Sequence, residues 1–310
     1  MTEPRLSVVC FGSPHRERTT RCLAALGAQT AAEQIELVLL DAGEEADRPD
    51  PPKTVATIVL QLSAESSLGQ ARAMGIRAAS APAIAFMSDH CRPEAGWAAA
   101  LIEAYGEPWA AVGYAFRDSP GATYGARAAR IADHGQWLAD ITSEGTVDAI
   151  SYGEASYRRE FLDGFGERLE WALDSDFTLQ STVHEEGLAM GVAPEAVIAH
   201  DNLATVRANG WLSYHSSRLV GARHLGGRGT FARRVLYAFA APIAVPVLRT
   251  LRLVRTIRGS VPAGQLAAAL PAIVVKNVYE GIGQAHGYLR GEGDAARRLM
   301  DAELRWPRTG

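Results

Sequence analysis

The chain has 310 residues, 47% of them apolar, so it can bury a large core and is too long for one minimal domain. Its three cysteines have neither metal-ligand spacing nor the density of a disulfide scaffold, which excludes the small secreted class and predicts buried thiols in a reducing compartment. Residues 1–200 carry 15 basic and 29 acidic side chains and residues 201–310 carry 16 and 6, so the basic second part predicts an anionic partner, either membrane or nucleic acid.

Apolar runs and helical periodicity alternate along the first third of the chain. Glu3 and Arg5 lead directly into an apolar run, with no basic leader before it, which predicts a cytoplasmic protein. Apolar runs predict five strands, at 6–12, 35–40, 54–62, 83–87 and 109–116. Intervening periodic segments predict three helices, at 19–28, 66–80 and 93–105. This alternation predicts an α/β fold with a mainly parallel sheet and helices on both faces.

Polar residues follow three of these strands at the point where each ends. They are Ser13, Asp41 and the triplet Ser88, Asp89 and His90. Ligands of such sheets bind beyond the carboxyl ends of the strands, so these side chains are the first candidates for a binding site.

The order of motifs resembles glycosyltransferase family 2, whose members adopt the GT-A fold, over roughly residues 5–200. The first strand and loop, with Ser13 and Arg16, are similar to the family's nucleotide-binding segment. The run ELVLLD ending at Asp41 resembles the strand whose aspartate contacts the base, and GQARAMG places Arg72 near the donor diphosphate. The resemblance therefore implies a nucleotide-sugar donor. Met74 stands where the family has an asparagine.

The family's acidic triplet corresponds to Ser88, Asp89 and His90. A departing diphosphate accumulates negative charge, and a divalent cation beside it stabilises that charge. The resemblance gives Asp89 and His90 as ligands of Mn²⁺ or Mg²⁺, with His200 as a further metal or phosphate contact. Ser88 replaces a carboxylate that usually touches the ribose.

The second half of the match supplies the acceptor side. The segment SYGEASYRR resembles the family's glycine-rich segment, with Glu154 where an asparagine is common. Counting back from Gly187 places Asp176 on the catalytic aspartate and Ser175 on the glutamate before it. Direct displacement needs a base that takes the proton of the attacking hydroxyl, a step worth about 10²- to 10⁴-fold in rate. Asp176 is the predicted base, and Asp174 could substitute or assist.

Each of these residues also has a purely structural interpretation. Asp176 could cap the helix predicted after it, and Asp41 and Asp89 could be turn or cap residues. His90 could be an exposed loop residue, and His200 could be a satisfied structural histidine. Outside the resemblance, Arg72 would lie on a solvated helix face.

The basic second part contains two apolar segments. Residues 210–230 mix glycines with aromatic and basic side chains, which predicts a mobile segment closing over the donor. Residues 235–248 are apolar but contain Pro242 and Pro246, and they are too short and broken for a span of about 20 residues. Arginines on both sides predict an interfacial helix on an anionic membrane. The alternative is a helical subdomain, packed on the core or in a homodimer, and it would include the further apolar helix predicted at 265–288.

These features together predict a metal-assisted inverting glycosyltransferase, with a GT-A domain at 1–205 and a basic, apolar helical region at 206–310. The acceptor would be a glycan or a lipid-linked glycan, as in polysaccharide biosynthesis, at the inner face of the cell membrane. Nucleic acid is not an expected partner, because apolar residues interrupt the arginines. Two alternatives remain: a sugar nucleotidyltransferase, and a non-catalytic membrane-associated relative that binds nucleotide-sugar or glycan.

Overall fold

The computed structural model describes residues 3–63, 65–117, 119, 121–225 and 230–308. The chain folds into two compact units. The first unit comprises Met1–Asp118, Trp137–His200 and Glu303–Arg305, and the second comprises Ser119–Gln136, Asp201–Ala302 and Trp306–Gly310. Residues 119–136 therefore belong to the second unit, whereas the boundary predicted from the sequence at 205/206 places them in the first domain.

Four parallel strands form one half of the sheet in the first unit. They are β1 (Leu6–Gly12), β2 (Ile35–Asp41), β3 (Ala56–Gln61) and β4 (Ala83–Ser88). Every residue of β1, β2 and β4 is buried, as expected for parallel strands covered on both faces. The predicted strands are confirmed here, with ends that differ by one or two residues. Gly12 is paired with Asp41, and Phe11 with Ser88, so the three strands end at the same edge.

The other half of the sheet is mixed. It contains β5 (Cys91–Pro93), β6 (Trp109–Arg117), β7 (Gly145–Val147), β8 (Ala155–Arg158) and β9 (Ala189–His200). The strand order is β3-β2-β1-β4-β8-β6-β9-β5, and β7 also pairs with β9. Strand β8 is antiparallel to both β4 and β6, and β6 is parallel to β9. Strand β5 runs antiparallel to β9 and opposes Cys91 to His200. The mixed, mainly parallel α/β sheet that the sequence predicts is confirmed.

Eleven α-helices accompany the sheet within the described residues. They are α1 (Arg16–Gly27), α2 (Leu68–Ala78), α3 (Trp97–Ala104), α4 (Tyr124–His134), α5 (Arg159–Asp163), α6 (Leu169–Leu173), α7 (Asp176–Glu185), α8 (Val206–Arg223), α9 (Phe231–Ile257), α10 (Ala263–Arg290) and α11 (Ala295–Arg305). Helix α2 begins at a capping box formed by Ser67 and Gln70. The prediction that a helix starts at Pro93 is wrong, because Pro93 ends β5 opposite Ile198 and α3 starts at Trp97.

Helices α8 and α10 form the centre of the second unit, where glycines allow their backbones to approach closely. A Cβ added at Gly283 would lie 2.2 Å from the carbonyl oxygen of Tyr214, and one at Gly287 would lie 2.2 Å from that of Arg218. Gly221 approaches α10 from the other side, with Gln284 O 2.2 Å from its ideal Cβ position. Larger residues at these three glycines would force the two helices apart.

Two predictions about this unit are wrong. Residues 206–223 form the regular helix α8, in which Gly210 and Gly221 are buried, so residues 210–223 are not a loose segment; residues 226–229 lie outside the described residues. The second wrong prediction is that the apolar segment at 235–248 is short and broken. It is part of α9, which is 27 residues long and continues through Pro242 and Pro246. The helix starts earlier than its apolar run because Thr230 caps it, with its hydroxyl accepting a hydrogen bond from Arg233 N. By length and composition, α9 and α10 could each cross a membrane.

A buried histidine makes the second unit sensitive to acid. His215 on α8 packs edge-on against Trp211, with ring centroids 4.9 Å apart, and burial lowers its pKa to about 4. In the unfolded chain the imidazole binds a proton below about pH 6.5. Unfolding therefore takes up a proton between pH 6.5 and about 4, and stability falls as the pH falls through this window.

We therefore expect the urea midpoint of the wild-type protein to decrease between pH 7 and pH 5, and to decrease less in the His215→Leu variant, which cannot bind this proton. The exposed Trp171→Ala variant, which changes no titratable group, is the control and should retain the wild-type pH dependence. Equal pH dependence of wild type and His215→Leu would contradict the assignment.

Candidate active site

The polar residues predicted at the strand ends lie at one edge of the sheet. The backbone N–H of Ser13, just after β1, donates a hydrogen bond of 2.9 Å to Asp89 Oδ2. Asp41 ends β2 beside Gly12, and Ser88 ends β4 beside Phe11. The parallel register therefore brings together residues that are up to 76 positions apart in the chain.

Asp41 is fully buried and bound by two arginines. Its carboxylate accepts hydrogen bonds from Arg16 at 2.5 Å and from Arg48 at 2.8 Å, and from the backbone N–H of Gly43 at 3.2 Å. Burial alone would raise the pKa of Asp41, but these donors outweigh it and hold the pKa below its ordinary value. The carboxylate is therefore ionised at neutral pH, and it fixes the two guanidinium groups at this edge of the sheet.

Asp89 is the most densely hydrogen-bonded of the predicted ligands. Its Oδ1 accepts from Arg18 Nε at 3.1 Å and from Arg18 Nη2 at 2.7 Å, a bidentate contact. Its Oδ2 accepts from the hydroxyl of Thr19 at 2.8 Å and from Ser13 N. These four bonds tie the end of β4 to the start of α1. The role of Asp89 as a metal ligand stays a prediction.

His90 and His200 lie together in the interior. Their Nε2 atoms are 3.1 Å apart, because the antiparallel pairing of β5 with β9 places Cys91 opposite His200 and His90 next to it. Glu154 approaches both rings, with Oε2 3.6 Å from His200 Nε2 and Oε1 4.0 Å from His90 Nε2. The Cys91 thiol lies 3.8 Å from Glu154 Oε1. These four residues are buried, and one ligand atom from each lies within 4.8 Å of the others, so the group could hold a metal ion. His90 is therefore not an exposed loop residue.

Glu154 belongs to the loop before β8 and also binds Ser88. The Ser88 hydroxyl donates a hydrogen bond of 2.8 Å to Glu154 Oε1. Gly153 precedes it with φ of +95°, a conformation that glycine adopts without strain and that directs the next residue inwards. The loop at 151–154 thus places a carboxylate at the end of β4, where position 88 is a serine.

Asp176 is the first residue of α7, and its side chain does not cap the helix. The N-cap position belongs to Ser175, and no side-chain capping bond is present there. Asp176 Oδ2 lies 3.4 Å from Arg72 Nη1, whereas the buried Oδ1 has no hydrogen-bond partner in the part of the chain that the structure describes. A buried carboxylate oxygen without a donor is costly, which is typical of a functional position.

Arg72 holds this region together. It is 2% exposed, so the interpretation as a residue on a solvated helix face is wrong. Its guanidinium donates to Leu173 O at 3.0 Å and to Gly153 O at 3.3 Å, beside Asp176. Its Cζ lies 4.9 Å from the centroid of the Phe86 ring. Arg72 therefore connects the loop that carries Glu154 with the start of α7.

Asp174 stabilises the start of α2. Its Oδ1 accepts a hydrogen bond of 2.7 Å from the backbone N–H of Gly69 in the first turn of α2. A carboxylate at a helix N-terminus satisfies an unpaired donor and interacts favourably with the helix dipole. Its catalytic assistance stays a prediction.

Three residues of the site were not predicted to be functional from the sequence. The sequence pattern assigns no role to Arg18 or Cys91, and it marks Glu154 only as a departure from the family's asparagine. Glu154 had a usable signal, because a carboxylate gained there coincides with the carboxylate lost at Ser88. Arg18 had no signal beyond its place two residues after Arg16, since only the fold brings it to Asp89.

The strand order, the antiparallel β8 inserted beside β4 and the polar strand ends define the class as a GT-A domain, a nucleotide-sugar-binding α/β fold. The family model described as glycosyl transferase family 2 matches residues 8–165, just over half of the chain, and the chain belongs to this family. A search among curated proteins found no match.

The buried pair of Arg18 and Asp89 has a measurable effect on stability. The side chains are 10% and 1% exposed, so the Arg18→Met variant leaves a carboxylate buried without its cation. We expect a loss of about 3–5 kcal/mol in the free energy of unfolding, measured by urea denaturation. The matched control is Arg77→Met, which breaks a pair with Glu170 that is 60% and 39% exposed and should cost about 0–1 kcal/mol. Equal losses in the two variants would contradict this.

Proposed function

We propose that the protein is an inverting glycosyltransferase that moves a sugar from a nucleotide-diphosphate donor to a hydroxyl group of a glycan or lipid-linked glycan. The observation that carries this proposal is the buried carboxylate of Asp176, whose Oδ1 has no hydrogen-bond donor among the described residues. Membership in glycosyltransferase family 2 supports the reaction class. The family model matches residues 8–165 and does not reach Asp176, so the place of Asp176 in the reaction rests on the sequence resemblance and on this buried oxygen.

The donor would lie at the edge where β1, β2 and β4 end. Arg16 and Arg48, both bound to Asp41, are cations that could contact the nucleotide there. Ser13 and Ser88 offer neutral hydrogen-bonding groups at the same edge. Positive groups fixed before the donor arrives need no reorganisation as negative charge develops on the leaving group.

A divalent cation fits the residues beside this edge. His90 and His200 present two buried imidazole nitrogens 3.1 Å apart, with the Glu154 carboxylate next to them. A cation, when bound, supplies positive charge opposite the charge that accumulates on the leaving diphosphate.

Asp176 would act as the base. As the acceptor oxygen attacks the anomeric carbon, its proton passes to Asp176 Oδ1, while Oδ2 remains next to the Arg72 guanidinium. The attack breaks the bond between the sugar and the diphosphate from the opposite face, which inverts the anomeric configuration. The contact with Arg72 orients the carboxylate before the proton arrives.

The Asp176→Asn variant tests the base. An amide of the same shape cannot accept the proton, so we expect kcat to fall by about 10²- to 10⁴-fold, with nucleotide affinity measured by calorimetry largely unchanged. The exposed Asp163→Asn variant, at the end of α5, is the control and should retain the wild-type kcat. Transfer at the wild-type rate in Asp176→Asn would disprove the assignment.

Hydrolysis of nucleotide sugars in the absence of acceptor separates the alternatives. A transferase releases nucleoside diphosphate slowly when water replaces the acceptor. A sugar nucleotidyltransferase would instead release pyrophosphate from a nucleoside triphosphate and a sugar phosphate. A non-catalytic relative would bind the donor and release neither product.

We also propose that α9 lies on an anionic membrane surface at the cytoplasmic face. Its exposed stripe is apolar, with Phe239 78%, Ile243 74% and Leu236 67% exposed. Arginines flank the stripe at both ends of the helix; they are Arg233, Arg252, Arg255 and Arg258. An apolar stripe between cationic groups fits an interfacial helix, and each arginine near an anionic leaflet adds about 1 kcal/mol.

Sedimentation with vesicles tests this surface. The wild-type protein should bind vesicles containing phosphatidylserine, and less so at high salt. Replacing Phe239 and Ile243 together by alanine should weaken binding about tenfold or more, because their apolar side chains no longer enter the interface. The control Trp171→Ala removes an exposed aromatic side chain of the first unit and should bind as wild type. Unchanged binding by the double variant would contradict the proposal.

A further inference from the structure

We infer that Glu154 and Cys91 complete, with His90 and His200, a four-ligand site for a borderline-soft divalent transition metal of the Zn²⁺ class. Binding of the metal does not require the proposed transferase activity; only its place beside the donor rests on the proposed function. Of the three metal ligands predicted from the sequence, the inference keeps His90 and His200, replaces Asp89 by Glu154 and Cys91, and changes the expected metal from Mn²⁺ or Mg²⁺ to the Zn²⁺ class.

The distances between the ligand atoms suit one ion. Two nitrogens bound to one tetrahedral Zn²⁺ at about 2.0–2.1 Å lie about 3.3 Å apart. The Nε2 atoms of His90 and His200 are 3.1 Å apart, and Glu154 Oε2 is 3.6 Å from His200 Nε2. The Cys91 Sγ lies 3.8 Å from Glu154 Oε1. All four donor atoms lie within 4.8 Å of one another, so small side-chain rotations would bring them onto a common centre.

Glu154 supplies the carboxylate that the strand end lacks. The family's acidic triplet has a serine at position 88 here, and the Ser88 hydroxyl donates to Glu154 Oε1 at 2.8 Å. The carboxylate at this strand end therefore belongs to Glu154 of the neighbouring loop, and the Ser88 hydroxyl orients it. Glu154 is only 4% exposed, and a buried charge in this position needs a cation beside it.

Asp89 is a poorer ligand than its place in the sequence indicates. Its two oxygens already accept four hydrogen bonds, from Ser13 N, from the hydroxyl of Thr19 and twice from Arg18. The Arg18 guanidinium neutralises its charge, so a metal would have to displace a buried ion pair in order to bind there.

The other nitrogen of His90 faces a carboxylate. Its Nδ1 lies 3.3 Å from Glu303 Oε1, a residue of the 303–305 segment of the first unit. A carboxylate behind a ligating histidine fixes the ring so that the opposite nitrogen faces the metal. The present contact is within ion-pair distance but lacks hydrogen-bond geometry, so Glu303 acts as a positioning residue for His90 once a small rotation of either side chain aligns it.

The donor set selects the metal. Thiolate and imidazole are ligands of Zn²⁺, Co²⁺ and similar ions, whereas Mg²⁺ requires oxygen ligands in octahedral geometry. A site with two imidazoles, one thiol and one carboxylate therefore favours the Zn²⁺ class over Mg²⁺. The buried thiol of Cys91, which is not part of a disulfide, also gives the site a spectroscopic signature.

The full-length protein, stripped of metal with a chelator, is titrated with Co²⁺ in the absence of donor. We expect tetrahedral d–d bands in the visible region and a thiolate-to-cobalt charge-transfer band in the near ultraviolet, both abolished by Zn²⁺ and unaffected by excess Mg²⁺. Absence of the charge-transfer band in the wild-type protein, or displacement of Co²⁺ by Mg²⁺, would overturn the inference without any variant.

Matched variants then assign the ligands. Cys91→Ser should lose the charge-transfer band, while Cys22→Ser, another buried thiol, should keep it. Glu154→Gln should weaken Zn²⁺ binding, whereas Glu36→Gln should not, although Glu36 is also buried and accepts from a serine hydroxyl. Glu303→Gln should lower Zn²⁺ affinity by about 10- to 100-fold, as expected for an outer-sphere partner.

Asp89→Asn separates this ligand set from the one expected from the sequence. It should retain Zn²⁺ affinity, and a loss of affinity in Asp89→Asn but not in Glu154→Gln would overturn the inference. Thermal unfolding of each variant identifies any that fail to fold. If a variant fails to fold, the Co²⁺ spectrum and the Mg²⁺ competition of the wild-type protein still test the inference. Binding of Zn²⁺ without sugar transfer would contradict the proposed function alone, and transfer with Mg²⁺ in a protein without the cobalt signature would contradict this inference alone.

Discussion

The site depends on one constraint: a buried carboxylate must have a cation beside it. Asp41 is paired with Arg16, Asp89 with Arg18 and Asp176 with Arg72. Arg16 and Arg18 lie in the first turn of α1, and Arg72 lies in α2. The first two pairs therefore fix α1 against the ends of β2 and β4, and the third fixes α2 against the start of α7. The cluster around Glu154 differs, because histidines and a thiol take the place of an arginine there.

Much of the fold was predictable because parallel strands are buried on both faces. An uninterrupted apolar run, such as Leu6–Gly12 or Ile35–Asp41, is a strong signal that needs no knowledge of its neighbours. The short strand Cys91–Pro93 gave no such signal, since three residues carry no periodicity and its proline indicates a helix start. Its pairing with β9 decides where the chain goes, and that pairing depends on residues about a hundred positions away.

The candidate site was predictable in composition and less so in connectivity. The resemblance identified Asp176, His90 and His200, but which groups touch each other depends on tertiary structure. Asp89 illustrates the difference, because its neighbour in sequence is His90 while its partners in space are Arg18 and Thr19. In the second unit, the prolines of α9 misled the sequence interpretation, since a helix stabilised along its length tolerates the loss of two backbone donors.

The contact between positions 88 and 154 limits which single substitutions this cluster tolerates. An aspartate at position 88 would set two carboxylates against each other, because the present hydroxyl lies 2.8 Å from Glu154 Oε1. An asparagine at position 154 would leave His90 and His200 without a carboxylate from that loop. The two positions are therefore energetically coupled, and an engineered change to the family's pattern requires both substitutions together.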